Sequence, residues 1–204
     1  MSKKKFSRNK EEKIERIYKE FFNLILKKGY HNTSTNHVAE SAKISIGTIY
    51  NYFPKGKEDI IRKYFEESME NMLESDDLIS LNDDNIRDNL NHFITELIKY
   101  HKENRGYHLA FRSAIQSDKK LLASHREKTF LIFKDRAQKL RKANKNFEKI
   151  PEERLVEAFI FAYNLVNAIL YHHLSIMKFF DSENELVEYL LNIVIFSLQY
   201  LLKS

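Results

Sequence analysis

Along most of this chain apolar residues recur at intervals of three and four, and nowhere do they alternate for long enough to make a strand. From about Lys10 to Lys28, Ile14, Ile17, Phe21, Leu24 and Ile25 form one stripe. Glu11, Glu12 and Glu15 come early in it, Lys27 and Lys28 late, and Gly29 stands where a helix would stop. Two short helical segments follow. Ser34 can cap the first, whose Val38, Ala39 and Ala42 make a narrow apolar stripe. Lys43-Ile44 turns, and Ser45 can cap a second, Ile46 to Tyr52, with Ile49 and Phe53 as its buried side. Further helices are expected over residues 57–73, 86–103, 106–117 and 118–142, with a polar, acidic loop over 75–85 and a linker over 144–150.

The last two predicted helices differ in kind. One opens at Pro151 and runs to about Phe179; the other starts at Ser182 with the capping pattern Ser182-x-x-Glu185. Both are apolar almost all the way round, so both must be covered all round. In a chain of 204 residues one face can turn inward, and the other needs a partner. A homodimer is expected in which residues 151–179 and 182–202 of two copies make a four-helix bundle.

Composition narrows the picture. Four glycines and two prolines leave an all-α protein of about nine helices as the expected fold class. The absence of cysteine excludes disulfides and thiolate metal sites. The leader MSKKKFSRNK has no apolar stretch behind it, and Asn164, Asn167, His172 and His173 interrupt the longest apolar regions. A cytoplasmic protein without signal peptide or membrane span is expected. Charge is uneven: residues 1–63 hold 15 Lys/Arg against 7 Asp/Glu, net +8, while the rest hold 19 against 22, net −3. A basic head on a mildly acidic body is the footprint of a nucleic-acid-binding module. The arm Lys3, Lys4, Lys5, Arg8 and Lys10 is either a DNA-touching extension or a solvated terminus.

Residues 33–57 have the layout of a helix-turn-helix, the second short helix presenting hydroxyls, an amide and a glycine. Gly29, Thr33-Ser34-Thr35, Val38-Ala39, Ala42, Ile44-Ser45, the run Gly47-Thr48-Ile49-Tyr50-Asn51-Tyr52-Phe53, and Lys57-Glu58-Asp59-Ile60 resemble the DNA-binding domain of the tetracycline-repressor (TetR) family. The resemblance spans about residues 8–64. It implies a helix-turn-helix domain over 1–56 and a helical effector-binding and dimerisation domain over 57–204.

It also implies phosphate-side contacts from Thr35, Ser45, Gly47, Tyr50, Tyr52 and Lys57, with Ser34 beside them. Lys55 competes with Lys57, because Phe53-Pro54-Lys55-Gly56-Lys57 is one residue longer than the commonest family spacing. Thr48 and Asn51 are the candidates for base edges, Asn51 because an amide can pair bidentately with adenine. The resemblance further implies a small-molecule pocket in the body. Phe93, Leu97, Tyr100, His101, Phe111, Phe130, Phe133, Phe161, Asn164 and Asn167 are the candidates for its lining, an apolar surface with a few polar groups. Asn164 and Asn167, on an apolar helix, each need a hydrogen-bond partner.

The functional expectation is a ligand-responsive dimeric regulator, a repressor released from a palindromic double-stranded operator by a small apolar or aromatic effector. No cofactor, metal or enzymatic activity is expected. There is no Glu-x-x-His pair, HExxH, phosphate loop or GxSxG, and His172 and His173 point about 100° apart on a helix. The competing readings are a helical enzyme or metal protein using the histidines, a helical adaptor for proteins, and a DNA-binding dimer without an effector.

Overall fold

The computed structural model describes residues 2–73 and 85–203. Those residues form ten helices: α1 (Ser2–Lys28), α2 (Thr35–Ser41), α3 (Ile46–Tyr52), α4 (Lys57–Leu73), α5 (Ile86–Glu103), α6 (Arg105–Ser117), α7 (Lys119–Ala143), α8 (Lys145–Glu148), α9 (Glu152–Ser175) and α10 (Glu183–Lys203). The expected acidic loop lies outside the described residues, apart from Asn85. The basic side chains of Lys3, Lys4, Lys5 and Arg8 lie outside them too, although their backbone is the first turns of α1, which begins earlier than Lys10.

Packing divides the chain into two compact units, Met1–Ser68 with Asn104–His125, and Met69–Glu103 with Arg126–Ser204. The first is built on α1. Ile17, Phe21, Phe22 and Ile25 are buried against Val38 and Ala39 of α2, Ile49 of α3, Phe53, and Ile60 and Ile61 of α4. Full burial of side chains this size is worth about 1.5–3 kcal/mol each, which is what holds helices as short as α2 and α3. On its other side α1 packs against α6, where Ala110 and Ala114, one turn apart and fully buried, allow a close approach. Tyr107 and Phe111 of α6 join this core: Phe111 stacks on Phe65 with ring centroids 5.6 Å apart, and Tyr107 meets Phe22 at 5.2 Å. Phe111 therefore packs in the unit that holds the helix-turn-helix, not with the other candidate lining residues.

In the second unit, α10 packs on α5 and α9. Leu90, Ile94, Leu97 and Ile98 of α5 meet Ala158, Val166 and Leu170 of α9 and Leu186, Leu190, Leu191, Val194 and Leu198 of α10. Residues 144–150, expected as a linker, contain the single turn α8, where the Asn144 side chain accepts from the Asn146 N–H. Helix α9 stops at Ser175, short of Phe179. His172 carbonyl oxygen accepts from both Ile176 and Met177, and His173 Nδ1 accepts from the Phe179 N–H at 3.0 Å. Ser182 caps α10 as the pattern predicts, accepting from the Glu185 N–H, but Glu185 reaches back one residue further than expected, to the Asp181 N–H. Exposed ion pairs of Arg87 with Glu188 and Lys102 with Glu183 join α5 to α10 and add little in water.

His101 lies in this core, 8 % exposed. Burial pushes its imidazole down to about 4, a hydrogen bond with Asn167 opposing the shift. The native state thus holds a neutral histidine that the unfolded chain protonates below the ordinary value near 6.5. Its contribution is complete above pH ~6.5, falls as pH drops towards ~4, and levels off below, a span worth about 3 kcal/mol. His101→Phe should therefore reduce the loss of unfolding free energy between pH 7.5 and 4.5 by about 2 kcal/mol, read from urea titrations followed by circular dichroism. Equal losses in the two proteins would mean that another group sets the acid limb.

Candidate nucleic-acid interface

Local hydrogen bonds build the helix-turn-helix. At the end of α1, Gly29 takes φ +82° and donates to Ile25 oxygen, the left-handed stop its lack of a Cβ permits. Ser34 caps α2, its hydroxyl accepting from His37 N–H while His37 Nδ1 accepts from Ser34 N–H, a capping box closed by an imidazole. The turn to α3 is a Schellman arrangement. Ile44 N–H reaches back to Ala39 oxygen, with Lys43 at φ +52° in the left-handed region, a position that costs a lysine about 1–2 kcal/mol. Ser45 then caps α3, its Oγ accepting from Thr48 N–H at 3.1 Å and lying 2.9 Å from Thr48 Oγ1.

Helix α4 clamps this assembly. Lys57 Nζ donates to Tyr30 oxygen at 3.0 Å and Thr33 oxygen at 3.2 Å, and sits 4.1 Å from the centre of the Tyr30 ring. Burial pushes Lys57 below the usual ammonium range, Asp118 and Glu58 opposing. One and a half turns on, Lys63 Nζ donates to Tyr52 oxygen, closing the end of α3. Asp59, 3 % exposed, accepts from Lys55 N–H at 2.7 Å and from Arg62. Burial works against its ionisation, but these donors outweigh it and hold the carboxyl below its usual range.

The outward face of α3 follows from which residues the clamp buries. Ile49 and Phe53 are inside and Tyr52 is half-buried against the same core. Gly47, Tyr50 and Asn51 are exposed, with Thr48 half-exposed between them. Tyr50 is 48 % exposed and its hydroxyl lies 3.2 Å from Thr35 Oγ1, so one face of α2 and one of α3 are tied at their outer edge. The Asn51 side chain forms no hydrogen bond among the described residues, and neither do the ammonium groups of Lys43 and Lys55. Of the two competing lysines, Lys57 is thus engaged within the fold and Lys55 is exposed with its charge unpaired. Ile46, 38 % exposed at the start of α3, was missed from sequence. It belongs to no apolar stripe, and only its place beside Gly47 gives it away; a thymine methyl would suit it.

The second unit contains an apolar cavity, partly open to solvent, between α5, α7, α9 and α10. Of the candidate lining residues Phe93, Leu97 and Phe133 line it. Tyr100, His101, Phe130, Phe161, Asn164 and Asn167 do not. His101 is bonded to Asn167, Phe130 and Phe161 are largely exposed, and Asn164 and Asn167 donate to Ile160 and Tyr163 oxygen within their own helix. Arg136 and Tyr163 line the cavity and were missed; on helical wheels they differ in no way from surface arginines and core tyrosines. Among the described residues no three His, Asp or Glu side chains gather as a metal site would require.

An all-helical chain whose short third helix offers free polar groups beside a clamped second helix defines a helix-turn-helix DNA-binding protein. Residues 17–64 match the family model described as bacterial regulatory proteins, tetR family. No curated protein matches the sequence. Among solved structures, the fold is similar to a Syntrophomonas wolfei protein assigned to the TetR-family transcriptional regulators, with TM-score 0.69 and 18% identity over 92% of this chain and 95% of that one. It is also similar to NalD, the secondary repressor of the MexAB-OprM multidrug efflux pump in Pseudomonas aeruginosa (0.65, 17%, 93% and 96%), and to the fatty acid degradation regulator FadR from Bacillus halodurans (0.62, 18%, 93% and 94%). Residues 17–64 are thus a helix-turn-helix domain of the tetR family type, and the fold of the whole chain is similar to that of TetR-family regulators.

Gly56 takes φ +65° and a Cβ there would lie 3.0 Å from Thr35 Cγ2 and 3.6 Å from the Tyr50 ring, whereas one at Gly29 would meet nothing within 4 Å. Both Gly→Ala changes incur the left-handed backbone cost of about 1–2 kcal/mol, and Gly56→Ala must also displace the Thr35–Tyr50 pair. Gly56→Ala should be the more destabilising by about 1 kcal/mol in urea titrations, and the only one of the two to weaken DNA binding beyond its loss of folded protein.

Proposed function

We propose that the chain acts as a homodimer whose paired α3 helices read the half-sites of a palindromic operator, and that an apolar effector in the cavity of the second unit lowers operator affinity, making it a ligand-released repressor of the cytoplasm. The observation that carries the DNA reading is the free amide of Asn51 on the exposed face of a firmly held α3, beside Thr48, Gly47 and Tyr50. Asn51 reads a base edge with Thr48 next to it. Ser34, Thr35, Ser45, Tyr50 and Tyr52 hold the backbone, and Lys55 takes a phosphate while Lys57 keeps the loop before α2 in place. NalD and FadR, of similar fold, regulate different processes, so likeness of fold leaves the effector open.

Dimerisation rests on surface that one copy leaves uncovered. The sequence reading denied these helices the length and apolarity to cross a membrane, yet Glu152–Ser175 and Glu183–Leu202 meet both criteria, with 28% and 39% of their apolar windows buried. The uncovered remainder falls in stripes. Phe161, Asn164, Leu165, Ala168 and His172 lie along α9, and Tyr189, Ile193, Phe196 and Tyr200 along α10. Repeats of three and four with a small residue at the middle suit helix-on-helix packing against a second copy. The polar side chains inside the α9 stripe suit a protein interface better than lipid. Because α4 and α7 each supply residues to both packing units, a ligand in the second has two continuous helices through which to act. A coupling of about 1–3 kcal/mol would shift operator affinity about 5–150-fold.

Selection of bound duplexes from a random pool, followed by fluorescence anisotropy, tests the DNA reading. Asn51→Ala should relax preference at one base pair per half-site at a cost of about 1–3 kcal/mol, and Lys55→Ala should weaken all sequences alike and lessen the salt slope by about 1. Lys57→Ala should act mainly on stability. If Asn51→Ala leaves the selected sequence unchanged, α3 does not read bases as proposed.

For the dimer, Phe196→Glu puts a charge into the α10 stripe at a position 67% exposed in one copy. Light scattering should show a folded monomer with wild-type helicity that no longer binds the palindrome. A Phe196→Glu protein that remains a dimer at micromolar concentration places the interface elsewhere.

A further inference from the structure

We propose that the cavity of the second unit takes a molecule with an apolar chain or ring body ending in one carboxylate, and that Arg136 selects the acid head. This rests on the effector reading above and goes further by naming the ligand class.

The wall is hydrocarbon from all four helices, with Phe93 of α5, Phe133 of α7, Phe159 of α9 and Leu198 of α10 among its residues; Arg136 is the one charged residue in the lining. Its Nε is shielded from solvent and makes no hydrogen bond, and the guanidinium has no ion pair among the described residues. Two nearby carboxylates are engaged elsewhere. Asp135 pairs with Lys139, and Glu152 is shared by Lys134, Gln138 and Arg141. Arg136 is therefore a cation on an apolar wall with no ion pair among the described residues.

A buried, unmatched donor on a charged group is a standing cost that a bound anion removes. The planar fork of guanidinium matches a carboxylate through two parallel hydrogen bonds, which an alcohol or an amine cannot reproduce. Tyr163, also on the wall, supplies a hydroxyl as a second polar group, and burial pushes it well above the usual phenol range, so it remains a donor. The hydrocarbon wall around these two polar groups suits an apolar body beyond the acid head.

The test uses the full-length protein with decanoate, decan-1-ol and decylamine below their aggregation limits, read by isothermal titration and by release of the selected operator. Decanoate should bind at least about tenfold tighter than decan-1-ol, and decylamine weakest. Arg136→Gln should abolish the preference for the acid while keeping decan-1-ol binding and wild-type helicity; Arg136→Lys should restore part of it. Equal affinity for acid and alcohol in the native protein, or an acid preference that survives Arg136→Gln, overturns the carboxylate assignment and leaves the effector reading standing. If none of the three binds, the cavity is not an effector site for apolar molecules and both readings fall.

Discussion

The lysine ammonium of residue 57, resting on the Tyr30 ring and bonded to two carbonyl oxygens of the loop ahead of α2, is the interaction on which the DNA-facing geometry depends. Helices of seven residues do not hold their own shape in water. Their apolar sides are secured by α1 and α4, but apolar contact is non-directional and would leave α3 free to roll. Direction comes from charge-assisted hydrogen bonds: Lys57 fixes the loop that delivers α2, Lys63 fixes the last turn of α3, and Asp59 fixes the intervening turn through Lys55 N–H. Because all three lie on α4, α3 is held by one rigid element. A rigid helix can present Asn51 and Thr48 at a constant angle, as base readout requires.

That arrangement separates two roles that one positive charge could have filled. An ammonium drawn into the fold loses freedom to meet phosphate, and the left-over cation at the turn is Lys55, raised on the loop that Gly56 allows to pass close to Thr35 and Tyr50.

The body obeys a different logic. Its packed core is ordinary, but α9 and α10 keep large apolar stripes uncovered in a single copy, and α5, α7, α9 and α10 leave a hollow between them. Both are unfinished surfaces in a physical sense. The stripes lack hydrocarbon neighbours, and the hollow lacks both a filling and a counter-ion for Arg136. In the reading proposed above, a second copy covers the stripes and an apolar acid fills the hollow.

The sequence by itself determined what depends on neighbours within a turn or two of helix. The all-helical class, the caps at Ser34, Ser45 and Ser182, the stop at Gly29 and the turn at Lys43-Ile44 all arise from backbone groups that find partners a few residues away. Two helix ends escaped it: His173, an unusual acceptor, ends α9 early, and Asn144 caps a helix of one turn, too short for periodicity to reveal. Only the tertiary structure decided that Phe111 packs on Phe65, that Asn164 donates within its own helix while Asn167 also bonds His101, that Lys57 is engaged and Lys55 free, and that Arg136 is left without a carboxylate. Periodicity states which side of a helix is apolar, but not which element will cover it. The availability of a charge is settled only when every competing partner has been placed in space.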